Sequence, residues 1–495
     1  MNKKYKFILL IILVFGLFLR LFSLANLFYF TMDESLIAFR GWGMFKLNRP
    51  FLIGGGSPLQ VHLPPYFYYL ASIFLAVFNF NPLGWGIWGA LLGGLTIISL
   101  YFLVCKISNQ KIAIISSLLY SISFTAVFFD RHFWPLSLNP LLTTLFLLLL
   151  TKLNKKSIKF YLLLFLVLAM SITSDPSNIP LVLTVLLFIK TFSKKLKLRF
   201  TYLSASIAGA VFIAPLLLFD LRHNWVNILG IKKLITNTAA HQFSFQKMIE
   251  AILLVPRTLV RFWYTPQTNL VEFHSYCILH ASARQNNTPI ILTIFALVVI
   301  IYFIKKSKKP IEKTIGNLIL FYIFGITLFG VLGYSIFDHY LAGLLPVFAF
   351  ISAKLLSKLP KPISVILVTI FILLNLLQIS RVNNPYGLKH KNNLVSWAIT
   401  QLKNQEYALD SISKCHKENG LRYLFELTDN PPQQSFMDPN FFWLYQQFPA
   451  EKMPDKVLLV TDKDLKIDLP VISQQTFGAM NAYIFDNSSQ AYKIK

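Results

Sequence analysis

The sequence predicts an α-helical polytopic membrane protein carrying a small α+β domain at its C-terminal end. Three observations carry that expectation. Hydrophobic residues make up 55% of the 495 positions, and the mean hydropathy is +0.57, outside the range of a soluble chain of this length. The 47 Lys and Arg residues outnumber 21 Asp and Glu, but they gather in short loops between apolar runs: Lys152, Lys155, Lys156 and Lys159; Lys190, Lys194, Lys195, Lys197 and Arg199; Lys305, Lys306, Lys308, Lys309 and Lys313; Lys354, Lys358 and Lys361. Only Glu312 opposes them. Third, residues 381–495 change character, with polar runs, Pro431-Pro432 and short alternating stretches.

Basic residues so placed mark cytoplasmic loops and not a nucleic-acid stripe. The net charge of +26 therefore implies membrane lipids as partners and no nucleic acid. The apolar runs are expected to span at about 7–25, 83–105, 111–129, 135–151, 159–173, 177–192, 199–219, 288–304, 314–336, 338–357 and 361–380. The first is read as a retained helix: it carries Arg20 and has no small-residue cleavage site. The stretch 64–80 is short for a span. Laid on the outer surface, it leaves every lysine loop inside, with about eleven spans, the N-terminus inside and the C-terminus outside.

Two domains follow: 1–380 in the membrane and 381–495 as a soluble outer domain. In the latter, Arg422–Thr428 and Lys456–Thr461 alternate like strands and Leu394–Lys403 reads as a helix. The tail is expected to fold around its own small core and to adjust acceptor choice. The first outer loop, 26–82, is expected to hold two surface helices, one after Asp33 and one after Pro65, and 220–287 is expected to be a long outer loop. Of three cysteines, Cys277 and Cys415 fall outside, which permits a disulfide that nothing in the sequence supports. No CxxC occurs, no cofactor is prescribed, and a divalent metal has no support.

Residues able to do chemistry cluster on the expected outer face. Asp33-Glu34 follows the first span, opens a helical pattern and suits the positive end of a helix dipole; solvated loop acids are the plainer alternative. Val61-His62-Leu63-Pro64-Pro65-Tyr66 supplies His62 and Tyr66 before a proline-led helix start. Asp130-Arg131-His132-Phe133-Trp134-Pro135 places a cation, an imidazole and a tryptophan between apolar spans. Arg131 suits a phosphate and Trp134 a sugar face, with interfacial anchoring as the alternative. Asp220-Leu221-Arg222-His223-Asn224-Trp225 and Asp338-His339-Tyr340 add further polar groups. Arg20 is placed near the outer end of span one, where it would snorkel, and Asp175 reads as a turn former. A carboxylate base beside an acceptor hydroxyl, with cations aimed at a departing phosphate, is the chemistry of group transfer from a lipid-linked phosphate.

At these residues the chain resembles the GT-C integral-membrane glycosyltransferases of the protein O-mannosyltransferase and aminoarabinose-transferase type (glycosyltransferase family 39-like). The resemblance rests on Asp33-Glu34 with Ala38, His62-x-Pro64-Pro65-Tyr66, Arg131-x-x-Trp134-Pro135, Asp220-Leu221-Arg222-His223, and His339-Tyr340 with Pro346, over roughly residues 1–350. The family often carries a lysine close to the double proline; here Leu63 precedes it and His62 is the nearest polar group.

The resemblance implies an inverting transferase at the outer face of the plasma membrane. Its donor would be a polyprenyl-phosphate sugar and its acceptor a lipid, glycan or protein. Asp33 would be the catalytic base, with Glu34 on the acceptor side. Arg131, Arg222, His223 and His62 would meet the donor phosphate, and Trp134, His132, Asp220, His339, Tyr340 and Tyr66 would line the sugar and acceptor. A flippase for a lipid-linked glycan is the competing reading, but transporters place charge at the midplane and often show repeated halves. A scaffolding role would leave the clustered Asp, Arg, His and Trp residues unused.

Overall fold

The structure is a computed structural model that describes residues 2–55, 61–153, 157–192, 196–236, 245–265, 288–332, 336–412, 419–437, 454–462, 470–489 and 492. Cys277 and Cys415 lie outside the described residues. The described parts of the apolar runs are mostly helical. In chain order the membrane part holds α1 (Lys3–Leu21), α2 (Leu24–Leu27), α3 (Met32–Lys46), α4 (Tyr66–Val77), α5 (Leu83–Ile107), α6 (Gln110–Ile122), α7 (Phe124–Asp130), α8 (Asn139–Leu150), α9 (Ile158–Ser174), α10 (Ile179–Phe192), α11 (Leu198–Arg222), α12 (Val226–Thr236), α13 (Phe245–Trp263), α14 (Ile290–Lys306), α15 (Pro310–Val331), α16 (Leu345–Leu356) and α17 (Lys361–Arg381).

Among the described residues, five helical segments are long and apolar enough to cross a bilayer alone: α5, α11, α15, Asp338–Leu356 and α17. The pair α6 and α7, bent by 65°, makes a sixth. Shorter apolar helices complete a multi-pass bundle. The bend has a local cause, because Ser123 interrupts the ladder and its hydroxyl donates to the Phe262 carbonyl at 2.8 Å, while the Asn375 side chain accepts from the Phe124 N–H at 2.7 Å.

Lysine loops meet at one end of this bundle. The Lys309 ammonium donates to the Ile107 carbonyl at 2.6 Å, Lys354 pairs with Glu312 at 2.6 Å, and the Tyr161 hydroxyl donates to Leu153 while accepting from the Lys197 N–H. The opposite end gathers α3, the 130–139 turn, the Asp175–Asn178 turn and the 3₁₀ turn Asp338–Leu344. That end-to-end segregation is the one the lysine spacing predicts.

Arg20 departs from expectation. It does not snorkel: it is wholly buried, its Nε and Nη2 donating to Asp130 Oδ2 at 2.8 and 2.7 Å and its Nη1 to the Gly16 and Ser121 carbonyls. The Tyr120 hydroxyl donates to the same carboxylate. A guanidinium at apolar depth is tolerable only when paired and hydrogen-bonded in this way. Gly93 makes room for the pair; a Cβ there would overlap the Arg20 and Asp130 side chains.

The 220–287 segment is also more structured than a long loop. Its described part holds α12 and α13, and α13 packs against α14 and α15, burying Leu254, Val255, Leu259 and Phe262. Arg261 on α13 ties it to Asp338 at 2.7 Å. Its charges and Pro256 break the apolar run that marks a span in sequence, yet one face is apolar throughout, the mark of an amphipathic helix.

The C-terminal domain contains α18 (Leu388–Leu402), α19 (Leu421–Glu426) and a five-stranded sheet of β1 (Tyr407–Ile412), β2 (Gln434–Ser435), β3 (Lys456–Thr461), β4 (Val471–Phe477) and β5 (Met480–Asp486). Strand order is β2-β1-β3-β5-β4, with β1 parallel to β2 and β3, and β5 antiparallel to β3 and β4. Lys456–Thr461 is the expected strand. Arg422–Thr428, expected to alternate as one, is instead largely the helix α19: Gly420 takes the left-handed φ of 95° that starts it, and Arg422 pairs with Glu426 one turn on at 2.9 Å.

The expectation that this domain folds around its own core is corrected. Among the described residues, one sheet face has a local core, of Ala408, Val457, Leu459, Tyr483 and Phe485. On the other face Tyr407, Leu409, Leu458 and Ile484 join α18 and α19 in a cluster that continues into Phe28, Phe30, Ile37, Phe39, Phe67 and Trp85 of the membrane part. The strand period of two divides the residues between these cores.

Candidate functional site

Residues Phe28–Thr31 form the extended segment that delivers the chain into α3. The C-terminal domain grips it: the Leu388 N–H donates to the Phe28 carbonyl at 3.1 Å, and the fully buried Lys391 ammonium donates to the Phe30 and Asn419 carbonyls, both at 2.6 Å. Gly420 packs directly on Phe30, where a Cβ would meet its ring and carbonyl. Thr31 then caps α3 in a capping box with Glu34. Glu34 Oε2 accepts from the Thr31 N–H at 3.1 Å and its hydroxyl at 3.0 Å, which satisfies the helix-start donors and fixes the carboxylate.

The two adjacent carboxylates face different surroundings. Glu34 is wholly buried, and its Oε1 lies 3.0 Å from His132 Nδ1. Burial pushes its acidity toward the neutral form, but the His132 charge and hydrogen bond outweigh it with the backbone bonds, and the pKa falls below the ordinary glutamate value. Asp33 is half-buried and has no hydrogen-bond or ion-pair partner among the described residues. Desolvation, with the Glu34 charge adding to it and His132 opposing, pushes Asp33 up to about 6. Successive helix residues point about 100° apart, which is how neighbours come to occupy such different sites.

His132 starts a run of rings. Tyr29 lies 5.6 Å from it and Trp134 4.9 Å; Trp134 meets His339 edge-on at 4.8 Å; His339 stacks on Phe337 at 5.0 Å and touches Tyr340 at 4.8 Å. The structure thus joins Glu34, His132, Trp134, His339 and Tyr340, drawn from three separate stretches of sequence. The Trp134 indole N–H is buried without a hydrogen-bond partner among the described residues.

A second group forms away from that run. Asp220 is buried and accepts from the Asn227 N–H and side-chain amide at 3.1 and 2.9 Å; Asn227 Oδ1 in turn meets the His62 N–H at 2.7 Å and its Nδ1 at 2.9 Å. Tyr66 donates to the Val211 carbonyl and packs on Phe212 at 4.3 Å. These contacts fasten the segment 62–66 to α11 and α12. Asp220 and Tyr66, expected to line the sugar or acceptor, are therefore tied into this junction. Arg222 and His223 are exposed at the end of α11, His223 stacked on Phe219 at 4.0 Å.

Arg131, expected to meet the donor phosphate, lies at the end of α1. Its guanidinium is buried and donates through Nε and Nη2 to the Leu19, Arg20 and Phe22 carbonyls at 2.6, 3.2 and 3.2 Å, while Nη1 has no hydrogen-bond partner among the described residues. The last carbonyls of a helix lack intrahelical donors, and Arg131 supplies them for α1. Asp175 accepts from the Ser177 N–H at 2.8 Å, as a turn former does.

Sequence reasoning missed Arg40. It lies seven positions after Asp33 in α3, about 700° around the helix and so on nearly the same face. Its Nη1 donates to the Ile53 and Gly54 carbonyls at 2.9 and 2.7 Å, and its guanidinium lies over the Phe51 and Tyr68 rings. The Tyr68 phenol, buried, is pushed up to about 12, with Arg40 lowering and Asp33 raising it. The Gly54–Gly55 segment pairs with Leu63 at this place, and a Cβ on Gly55 would overlap the Tyr68 hydroxyl. The spacing of seven on a surface helix was the available signal. Among the described residues, no group of three or more His, Cys, Asp and Glu is arranged to hold a metal ion.

Residues 62–219 match the dolichyl-phosphate-mannose-protein mannosyltransferase family. No curated protein sequence matches the chain. In three dimensions the chain is similar to the crystal structure of ArnT from Cupriavidus metallidurans bound to undecaprenyl phosphate, with a TM-score of 0.62 at 9% identity over 100% of both chains. The apo state of that protein gives 0.53 at 11% identity, covering 98% of this chain and 99% of the other. The apo oligosaccharyltransferase of Archaeoglobus fulgidus gives 0.51 at 12% identity, covering 92% of this chain and 69% of its own. The chain has the GT-C glycosyltransferase fold.

Proposed function

We propose that this protein is a membrane glycosyltransferase that moves a sugar from a polyprenyl-phosphate donor to an acceptor hydroxyl at the outer face of the plasma membrane, with inversion and with Asp33 as general base. The observation that carries the reading is the division of labour in the acidic pair: Glu34 is buried and paired, while Asp33 is half-buried, unpaired among the described residues and poised near 6. A base works best with a pKa near the operating pH. The fold supports the reading, and the ArnT structure is of a protein bound to undecaprenyl phosphate.

In the reaction, Asp33 takes the acceptor's hydroxyl proton as the acceptor oxygen bonds to the sugar's anomeric carbon. The bond from that carbon to the phosphate oxygen breaks, and its electron pair leaves with polyprenyl phosphate. Arg40 is the cation on the Asp33 face of α3, and Arg222 and His62 remain candidates for the phosphate. The ring run from His132 to Tyr340 offers faces for the sugar. Glu34 and His132 act by holding the start of α3 in place.

Transfer should rise with pH through an apparent pKa near 6, because only the ionised Asp33 accepts a proton. Glu34→Gln removes a charge that raises the Asp33 pKa, so its profile should move to lower pH. His132→Gln removes a charge that lowers it, so its profile should move to higher pH. A liposome transfer assay between pH 5 and 8 reads all three. A wild-type profile flat across that window, or shifts of the same sign in both variants, would contradict Asp33 as the base.

A further inference from the structure

The second feature lies at the lysine-bearing end, far from Asp33, and it stands independently of the catalytic reading. A groove runs between α14 and α16, lined by Val299, Tyr302, Phe303, Ile351 and Leu355, with Lys306, Lys354 and Lys358 at its mouth. Two of the lysines are held in place. Lys354 pairs with Glu312 at 2.6 Å and sits over the Phe303 and Phe350 rings at 5.5 and 5.9 Å. Lys358 lies 4.9 Å over the Tyr302 ring and donates to its hydroxyl at 3.3 Å. Glu312 offsets Lys354, and the exposed Lys306 and Lys358 have no acidic partner among the described residues.

Both helices run toward this end. Val299 therefore lies about 10 Å deeper than Lys306 along α14 at 1.5 Å per residue, and Ile351 is deeper than Lys358. The groove is cationic at its mouth and apolar along its floor. The adjoining face of α14 is exposed and apolar, through Ile291, Phe295 and Val298, so the groove opens onto the lipid side of the bundle.

We propose that this groove is a binding site for an anionic phospholipid, its phosphate between Lys306 and Lys358 and its first acyl chain along Val299, Ile351 and Leu355. A soluble phosphate would use the mouth but not the floor. Basic residues near a membrane surface attract anionic lipid, and Lys358, oriented over the Tyr302 ring, loses little freedom on binding.

The test is native mass spectrometry of the purified full-length protein, offered phosphatidylglycerol or phosphatidylcholine of identical acyl chains. Wild type should retain phosphatidylglycerol preferentially. The K306Q/K358Q variant should lose roughly ten- to thirtyfold of that preference, the order expected for two lysines. K306R/K358R should keep it, which separates loss of charge from misfolding, and K152Q/K159Q should be unaffected because those lysines sit on another loop. Equal retention by wild type and K306Q/K358Q would overturn the proposal. Competition by glycerol phosphate as effective as by phosphatidylglycerol would also overturn it, assigning the mouth to a soluble anion.

Discussion

Asp33→Asn should leave the protein inserted and able to bind its donor while turnover falls about 10²–10⁴-fold, the usual contribution of a general base. Asparagine keeps the size of the side chain and cannot take up the acceptor proton. Because Asp33 makes no hydrogen bond or ion pair among the described residues, the substitution breaks no structural contact, and the loss should fall on kcat rather than on donor affinity. Glu34→Gln should behave differently. It weakens the contact to His132 at 3.0 Å while keeping an oxygen for the Thr31 cap, so a lower melting temperature should accompany its loss of activity. Near-normal turnover by inserted, donor-binding Asp33→Asn would move the reading toward transport of the intact lipid-linked glycan.

Deleting residues 383–495 should abolish transfer even to a simple acceptor. The deletion strips Phe28, Phe30, Ile37 and Phe39 of the partners that share their core, and each large apolar side chain so exposed forfeits about 1.5–3 kcal/mol. It also removes the Leu388 and Lys391 bonds to the segment that leads into Asp33. Lys391→Met separates the anchor from the bulk of the domain. It fills the same space but leaves the Phe30 and Asn419 carbonyls without that donor, a cost of about 1–3 kcal/mol for each buried group left unsatisfied. Its kcat should fall more than its KM rises, because the start of α3 shifts while the ring run from His132 to Tyr340 stays. Wild-type transfer by a correctly inserted truncated protein would show that the tail only tunes acceptor choice.

The sequence made the membrane architecture legible because a bilayer imposes long apolar runs and sorts lysines to one side. The helices after Asp33 and Pro65 were equally legible, marked by an acidic first turn and a proline-led start. Lost from view was whatever depends on distant partners. Lys391 looks in sequence like any solvated lysine and is wholly buried against Phe30. Arg131 looks like a solvent-facing cation, but it is buried and two of its nitrogens donate to carbonyls at the end of α1. Glu34 and His132 are individually conspicuous, yet only folding brings them to 3.0 Å. The helix α13 hides because its apolar residues lie on one face and not in one run. Arg422–Thr428 is too short for period to separate strand from helix.

The most direct measurement of the central claim is the fate of the donor. Purified protein in liposomes is given a polyprenyl-phosphate sugar radiolabelled in both the sugar and the lipid, together with a hydroxyl acceptor, and the products are separated. The account predicts free polyprenyl phosphate and labelled acceptor in equal amounts, with the new glycosidic bond inverted relative to the donor and no sugar attached to the protein. Intact donor recovered from the other leaflet, with no cleavage at any pH, would contradict it.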